Sequence, residues 1–123
     1  MFVKIVCASV GIGYVLIGAM QLFLRRTFFT VIGPIAPYNP HYIGDLGSFV
    51  FPIGIGLLLA ARNPAQHRLL LGVAAAASTL HALNHLLGGA TSSGDRLTIG
   101  ALGLVGAALV AITFVAREER ATA

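Results

Sequence analysis

Apolar residues in this chain come in four long blocks, separated by short polar stretches. The blocks cover residues 5–24, 46–61, 69–83 and 97–116. A helix needs roughly 20 mainly apolar residues to cross the hydrocarbon core of a bilayer. Four helices of that length fit the chain if the polar residues near 41–45 and 81–85 lie inside them. We therefore predict membrane-spanning helices at about 3–24, 40–62, 64–87 and 96–116.

The composition supports the same fold class. Of the 123 residues, 57% are hydrophobic and only 10% are charged, and the mean hydropathy is +0.89. Soluble domains carry about 25% charged residues, so a water-soluble surface is excluded for a chain of this size. We predict an all-α integral membrane protein, a four-transmembrane-helix bundle that forms a single domain over residues 1–123.

The second and third helices have capping signals at their ends. Asn39-Pro40 and Asn63-Pro64 each place a capping residue before a proline, which is favoured at the first position of a helix. The helices are thus predicted to begin at 40 and 64 and to join through a tight turn at Asn63. Gly88 is predicted to end the third helix.

The longest connection, residues 25–38, follows the first helix. Arg25 and Arg26 are predicted to end that helix, and Pro34 and Pro37 disfavour regular helix after it. The segment is apolar, which fits either a hydrophobic connector or a lid over the bundle. The first apolar run is longer than the 7–15 residues, roughly, of a signal-peptide core, so we interpret it as a retained helix.

The net charge of +4 arises from basic residues at helix ends and predicts no nucleic-acid partner, since no basic patch is formed. The positive-inside rule instead assigns an orientation from these charges. Five of the eight fall on one side, which predicts both termini in the cytoplasm of a bacterial inner membrane. These five are Lys4, Arg62, Arg68, Arg117 and Arg120, and the other three are Arg25, Arg26 and Arg96.

Two kinds of small residue bear on packing. Helix three contains Ala74, Ser78 and Ala82, and helix four contains several glycines, including Gly100, Gly103 and Gly106. Small residues let membrane helices approach closely, so we interpret them as structural. Cys7 is the single cysteine, so it forms no disulfide within the chain, and we predict a small core residue there.

The candidate chemistry lies in two ionisable pairs within the apolar segments. His81 and His85 are four residues apart, as are His41 and Asp45, so each pair shares a helix face. His41 and His85 are equally far from the predicted turn at Asn63, and so are Asp45 and His81. The two pairs are thus expected at one depth, in the outer half of the membrane. Ionisable groups are costly there and are usually functional.

Three imidazoles and one carboxylate are typical ligands of a divalent transition metal ion such as Zn, Fe, Mn or Cu. We predict that His41, Asp45, His81 and His85 bind one ion. Three polar neighbours are expected around these ligands, namely Asn84, Ser48 and Gln21.

Other interpretations stay open. His81 and Asn84 could hydrogen-bond across helices, His41 could lie among headgroups, and Asp45 could pair with His81, Arg25 or Arg26. A His–Asp pair could instead relay protons, and two histidines on different helices could bind haem.

The run Asn39-Pro40-His41-Tyr42-Ile43-Gly44-Asp45-Leu46-Gly47, followed later by His81-Ala-Leu-Asn84-His85, resembles an uncharacterised family of small bacterial, often actinobacterial, four-helix membrane proteins. The shared patterns are N-x-H-x3-D-x-G and H-x3-H. The resemblance covers helices two and three. It implies a membrane bundle and does not indicate any reaction.

Three functions follow as hypotheses. The first is a membrane protein that binds a divalent metal, whether for catalysis, transport or structure. The second is a non-catalytic subunit or assembly factor of a larger membrane complex, since the chain is small. The third is a proton-coupled carrier of a small solute. Four helices would enclose a pathway only as an oligomer, so we expect a homo-oligomer or a membrane-protein partner in the lipid bilayer.

Overall fold

A computed structural model describes residues 1–34, 37–88 and 93–121, with side chains for 1–34, 37–88 and 96–116. These residues form five helices joined by turns. The helices are α1 (Phe2–Phe23), α2 (Arg25–Val31), α3 (Pro40–Ala60), α4 (Arg68–Leu87) and α5 (Ser93–Ala121).

Four of the helices are long and apolar enough to cross a membrane, as predicted. The candidate spans are Phe2–Phe23, Pro40–Ala60, Arg68–Leu87 and Arg96–Ala116, each of 20 to 22 residues. Only 22–33% of each span is buried within the protein, and the exposed positions carry large apolar side chains. Lipid tails solvate such side chains well, so the exposed surface suits a bilayer. The chain is thus an all-helical, multi-pass membrane protein.

The connection after the first span contains a helix that the sequence analysis did not predict. α1 ends at Phe23, Leu24 leaves the helical conformation (φ −124°, ψ 44°), and α2 begins at Arg25. Pro34 lies beyond the end of α2 at Val31, so it does not interrupt the helix. Burial of Phe28 anchors α2; isolated helices this short are marginal without tertiary packing.

The two Asn-Pro signals differ in outcome. Asn39 caps α3 as predicted, because its side-chain Oδ1 accepts a hydrogen bond from the Tyr42 backbone N–H at 3.0 Å. The prediction of a helix from 64 is wrong, since α4 begins at Arg68. Asn63 and Pro64 lie in a longer turn, where their carbonyls accept bonds from the Gln66 and His67 N–H groups at 3.2 Å.

The chain divides into two compact units, and the first comprises residues 8–59. Within it, α1 and α3 pack through glycines. A Cβ added at Gly18 would lie 2.5 Å from the Phe51 backbone nitrogen, and one at Gly54 would lie 2.6 Å from the Val15 nitrogen. The two backbones are therefore in direct contact, the arrangement that small residues permit in membranes.

These contacts define an antiparallel register between α1 and α3. Gly11 lies against Leu58, Gly18 against Phe51, and Gly47 against Gln21 and Leu22. Gly11 and Gly18 are seven residues apart, as are Gly47 and Gly54, and a seven-residue spacing keeps positions on one seam of a left-handed helix pair. α3 continues through Pro52, whose side chain is exposed.

The second unit comprises residues 1–7 and 60–123. In it, α4 and α5 pack antiparallel: a Cβ added at Gly106 would lie 2.9 Å from the Thr79 Oγ1, and one at Gly72 would lie 4.0 Å from the Thr113 Cγ2. Buried residues of these two helices include Leu71, Ala74, Leu109 and Ile112. Ser78 is also buried, and its hydroxyl donates to the Ala74 carbonyl oxygen at 2.7 Å. Cys7 is fully buried, as predicted.

Candidate metal-binding histidines

His81 and His85 are in direct contact near the C-terminal end of α4. Their Nε2 atoms are 3.1 Å apart, and their rings stack with centroids 4.9 Å apart and planes inclined by 24°. His81 is exposed and His85 is half-buried. The four-residue spacing, which puts side chains on one helix face, thus brings the two imidazoles together.

The short distance is that of a hydrogen bond between the two rings. Such a bond joins the Nε2–H of one ring to the unprotonated Nε2 of the other, and which ring donates depends on the tautomer. A metal ion that binds both nitrogens would displace the shared proton, because imidazole must be deprotonated at the ligating nitrogen.

Two exposed glycines of α5 lie near the level of this pair. The register set by Thr79 with Gly106 and by Gly72 with Thr113 puts Gly100 level with His85 and Gly103 level with Ala82. A Cβ added at either Gly100 or Gly103 would meet nothing within 4 Å. Within the described residues, only Gly106 of these three glycines packs closely against α4, and a packing role of Gly100 and Gly103 stays a prediction.

His41 and Asp45 form the second predicted pair. His41 Nε2 lies 3.5 Å from Asp45 Oδ2, and both side chains are largely exposed, at 89% and 59%. The cap on Asn39 starts α3 at Pro40, which puts the pair in the first two turns of the helix. The glycine seam faces α1, so the pair lies outside that seam.

Arg25, one of the alternative partners considered for Asp45, lies near this pair. Its guanidinium lies against Gly44, where an added Cβ would be 3.0 Å from Cζ, and its Nε donates to the Leu22 carbonyl oxygen at 3.1 Å. Within the described residues, the ion pair of Asp45 is with His41. Of the partners considered for Asp45, Arg25 is thus close by, but the carboxylate contacts the imidazole of its own helix.

The three predicted polar neighbours differ in environment. The Ser48 hydroxyl donates to the Asp45 backbone carbonyl at 2.7 Å rather than to its carboxylate. Asn84 is exposed on α4. Gln21 is only 5% exposed, and its Oε1 has no hydrogen-bond partner among the described residues. A buried amide oxygen without a donor costs about 1–3 kcal/mol, so Gln21 is a polar group in need of a partner.

Each predicted pair is formed, but the two pairs belong to different units of the chain. Among the side chains of 1–34, 37–88 and 96–116, no three His, Cys, Asp or Glu residues are grouped so that they could hold a metal ion. The equal depth predicted for the two pairs depended on a helix from residue 64, and α4 begins at Arg68. A common site for all four residues therefore stays a prediction.

The surroundings of α2 were not predicted from the sequence. An apolar cavity of about 210 Å³ lies between α2 and the start of α3, with Phe28, Tyr42 and Leu46 in its wall. Arg26 lies over the Tyr38 ring, with Cζ 4.9 Å from the ring centroid. The run Arg-Arg-Thr-Phe-Phe at 25–29 could have indicated this site, because it places charges and aromatic rings on one short segment.

No protein-family model matches the chain, and no curated protein or solved structure shows significant similarity to it.

Proposed function

We propose that this multi-pass membrane protein binds a divalent transition metal ion through His81 and His85. The observation that carries the proposal is the 3.1 Å separation of the two Nε2 atoms. Histidine nitrogens lie about 2.0–2.1 Å from a bound zinc ion, so two adjacent ligands on one ion are roughly 2.9–3.4 Å apart. The pair is therefore at chelating distance before any ion binds.

Two imidazoles alone do not complete a coordination sphere, which has four ligands for zinc. We propose that His41 and Asp45 supply the remaining protein ligands, as their donor types fit the same ions. Their 3.5 Å separation is close to the distance that two adjacent ligands require. Zn, Fe, Mn and Cu all suit an imidazole–carboxylate set, and thiolate-dependent sites are disfavoured because the single cysteine, Cys7, is buried away from solvent.

The first test is elemental analysis of the purified, untagged protein. We expect near-stoichiometric metal in the wild type and loss of that metal in the His81→Ala/His85→Ala variant. His67→Ala is the matched control, because it removes an exposed histidine in the turn before α4. We also expect metal content to fall as the pH is lowered, since protons compete for the imidazole nitrogens.

The result that contradicts the proposal is equal metal content in wild type and double variant, with unchanged helical circular dichroism. Parallel His41→Ala and Asp45→Ala variants test the second pair. If His41 and Asp45 bind the same ion, each variant should weaken metal affinity. If metal affinity is unchanged in both variants, the remaining ligands come from water or from a second copy of the chain.

We further propose that the protein lies in a bacterial inner membrane with both termini in the cytoplasm. Two observations support this proposal: an even number of candidate spans, which would bring both termini to one side, and the excess of basic residues predicted on that side. A fluorescent protein fused to the C-terminus should therefore be bright, and a phosphatase that needs the periplasm should be inactive there. The opposite pair of results would reverse the orientation.

A further inference from the structure

Two arginines at the start of α2 have side chains that are held in place although they are exposed. The Arg25 guanidinium lies against Gly44 on α3, and its Nε donates to the Leu22 carbonyl oxygen. The Arg26 guanidinium lies over the Tyr38 ring, a contact favoured by the negative face of the aromatic ring. Both positive charges are thus positioned directly after a membrane span.

Neither arginine has a carboxylate partner among the described residues, since the ion pair found there joins His41 to Asp45. Asp45 follows Gly44, so it is the acidic residue next to Arg25, and its carboxylate contacts the imidazole. Within the part of the chain that the structure describes, the positive charges of Arg25 and Arg26 are thus not paired with an acidic residue and can bind an anion. A forked guanidinium suits phosphate oxygens, to which it can donate two parallel hydrogen bonds.

The cavity beside the arginines is apolar. Phe28 and Phe29 of α2 and Tyr42, Ile43 and Leu46 of α3 contribute to its wall, around a volume of about 210 Å³. The Phe29 ring meets the Tyr38 ring edge-on, with centroids 5.0 Å apart. Phe29 in the wall of the cavity therefore contacts Tyr38, and Tyr38 in turn lies under the Arg26 guanidinium.

We propose that α2 and the first turns of α3 bind one anionic phospholipid, with its phosphate on Arg25 and Arg26 and part of an acyl chain in the apolar cavity. A free phosphate ion would leave the apolar wall uncovered, and a purely apolar ligand would leave the two charges unpaired. A lipid of the surrounding leaflet satisfies both, because its phosphate can accept hydrogen bonds from the guanidinium groups and its acyl chain can cover the apolar wall.

The test uses wild-type protein stripped of lipid in a neutral detergent. Native mass spectrometry and thermal unfolding are followed while phosphatidylglycerol or phosphatidylcholine with the same acyl chains is added. We expect phosphatidylglycerol to bind more tightly, by roughly tenfold or more for two arginines, and to raise the unfolding temperature. Equal binding of both lipids by the wild type would overturn the proposal, whatever the variants do.

Two variants with the same loss of charge show whether the site is specific. Arg25→Ala/Arg26→Ala should abolish the preference for phosphatidylglycerol, and Arg62→Ala/Arg68→Ala, which removes two charges around the turn before α4, should keep it. Arg25→Lys/Arg26→Lys retains charge but not the forked donors, so an intermediate preference is expected. If the Arg62→Ala/Arg68→Ala control loses the preference for phosphatidylglycerol to the same extent, the preference depends on net charge alone and the proposed site is wrong.

Two further arms separate the lipid from other ligands. Inorganic phosphate alone should give no stabilisation; if it stabilises the protein as much as phosphatidylglycerol does, the ligand is a free anion and the lipid proposal fails. Leu46→Phe fills part of the cavity and should weaken phosphatidylglycerol binding. Unchanged binding in that variant would exclude the cavity as the site of the acyl chain.

Discussion

At the scale of single residues, the glycines of α1 are in two different environments. A Cβ added at Gly18 would overlap the Phe51 backbone, whereas one at Gly13 would meet nothing within 4 Å. Backbone atoms cannot move aside as a flexible side chain can, so α1 and α3 would have to separate. The distinction between these glycines depends on packing, because their helical context is the same.

We therefore predict opposite effects for one substitution at two positions. Gly18→Ala should destabilise the protein by about 1–3 kcal/mol, the usual cost of overpacking. Gly13→Ala should leave stability unchanged or raise it by up to about 1 kcal/mol, because alanine favours a helix over glycine. Chemical unfolding in detergent micelles measures both. Equal destabilisation by the two substitutions would contradict the close contact of α1 with α3.

The histidine pair was predictable at this scale only in part. The spacing of His81 and His85 placed the side chains on one face, and the structure adds that they touch. The same holds for His41 and Asp45, whose carboxylate lies at 3.5 Å. Spacing along one helix fixes such pairs. It does not fix the rotation of one helix against another, so the convergence of both pairs could not be derived from sequence.

At the scale of helices, two identical dipeptides have different roles. Asn39-Pro40 begins α3, and Asn63-Pro64 lies in a turn four residues before α4. The segment after Pro64 contains Gln66, His67 and Arg68, and offers no apolar face for packing. A short segment of that kind has little reason to be helical, since tertiary packing supplies most helix stability. The capping signal alone could not reveal this difference.

The two asparagines give a matched pair of substitutions. Asn39→Ala removes the bond to the Tyr42 N–H and should destabilise the protein by about 1 kcal/mol, with faster hydrogen exchange in the first turn of α3. Asn63→Ala should have a smaller effect, because its backbone carbonyl, which the substitution keeps, is the acceptor in the turn. A larger effect at Asn63 than at Asn39 would contradict this assignment of the caps.

The helix α2 was not predicted, because two prolines in the same connection indicated irregular structure. Pro34 and Pro37 predicted an irregular connection, but a helix of seven residues precedes them. Proline removes a backbone hydrogen-bond donor from a helix that contains it. α2 ends at Val31, so Pro34 lies outside that helix. Burial of Phe28 favours the helix, and a side chain's burial is a property of the fold that the local sequence did not disclose.

At the scale of the whole molecule, the apolar pattern of the sequence was enough to predict a multi-pass membrane protein. Long apolar blocks and few charges are enough to identify four spans, because a bilayer requires about 20 apolar residues per helix. The glycine seam of α1 and α3 was not predicted, although Gly11 and Gly18 share their seven-residue spacing with Gly47 and Gly54. The sequence shows the glycine spacing within each helix, but it does not show that these two helices pack against each other.

Electron paramagnetic resonance of the protein loaded with one equivalent of Cu²⁺ tests whether His81 and His85 bind one metal ion. We expect nitrogen couplings from at least two imidazoles, lost in His81→Ala/His85→Ala and kept in His67→Ala. A copper spectrum without imidazole couplings, or one that the double substitution leaves unchanged, would contradict it.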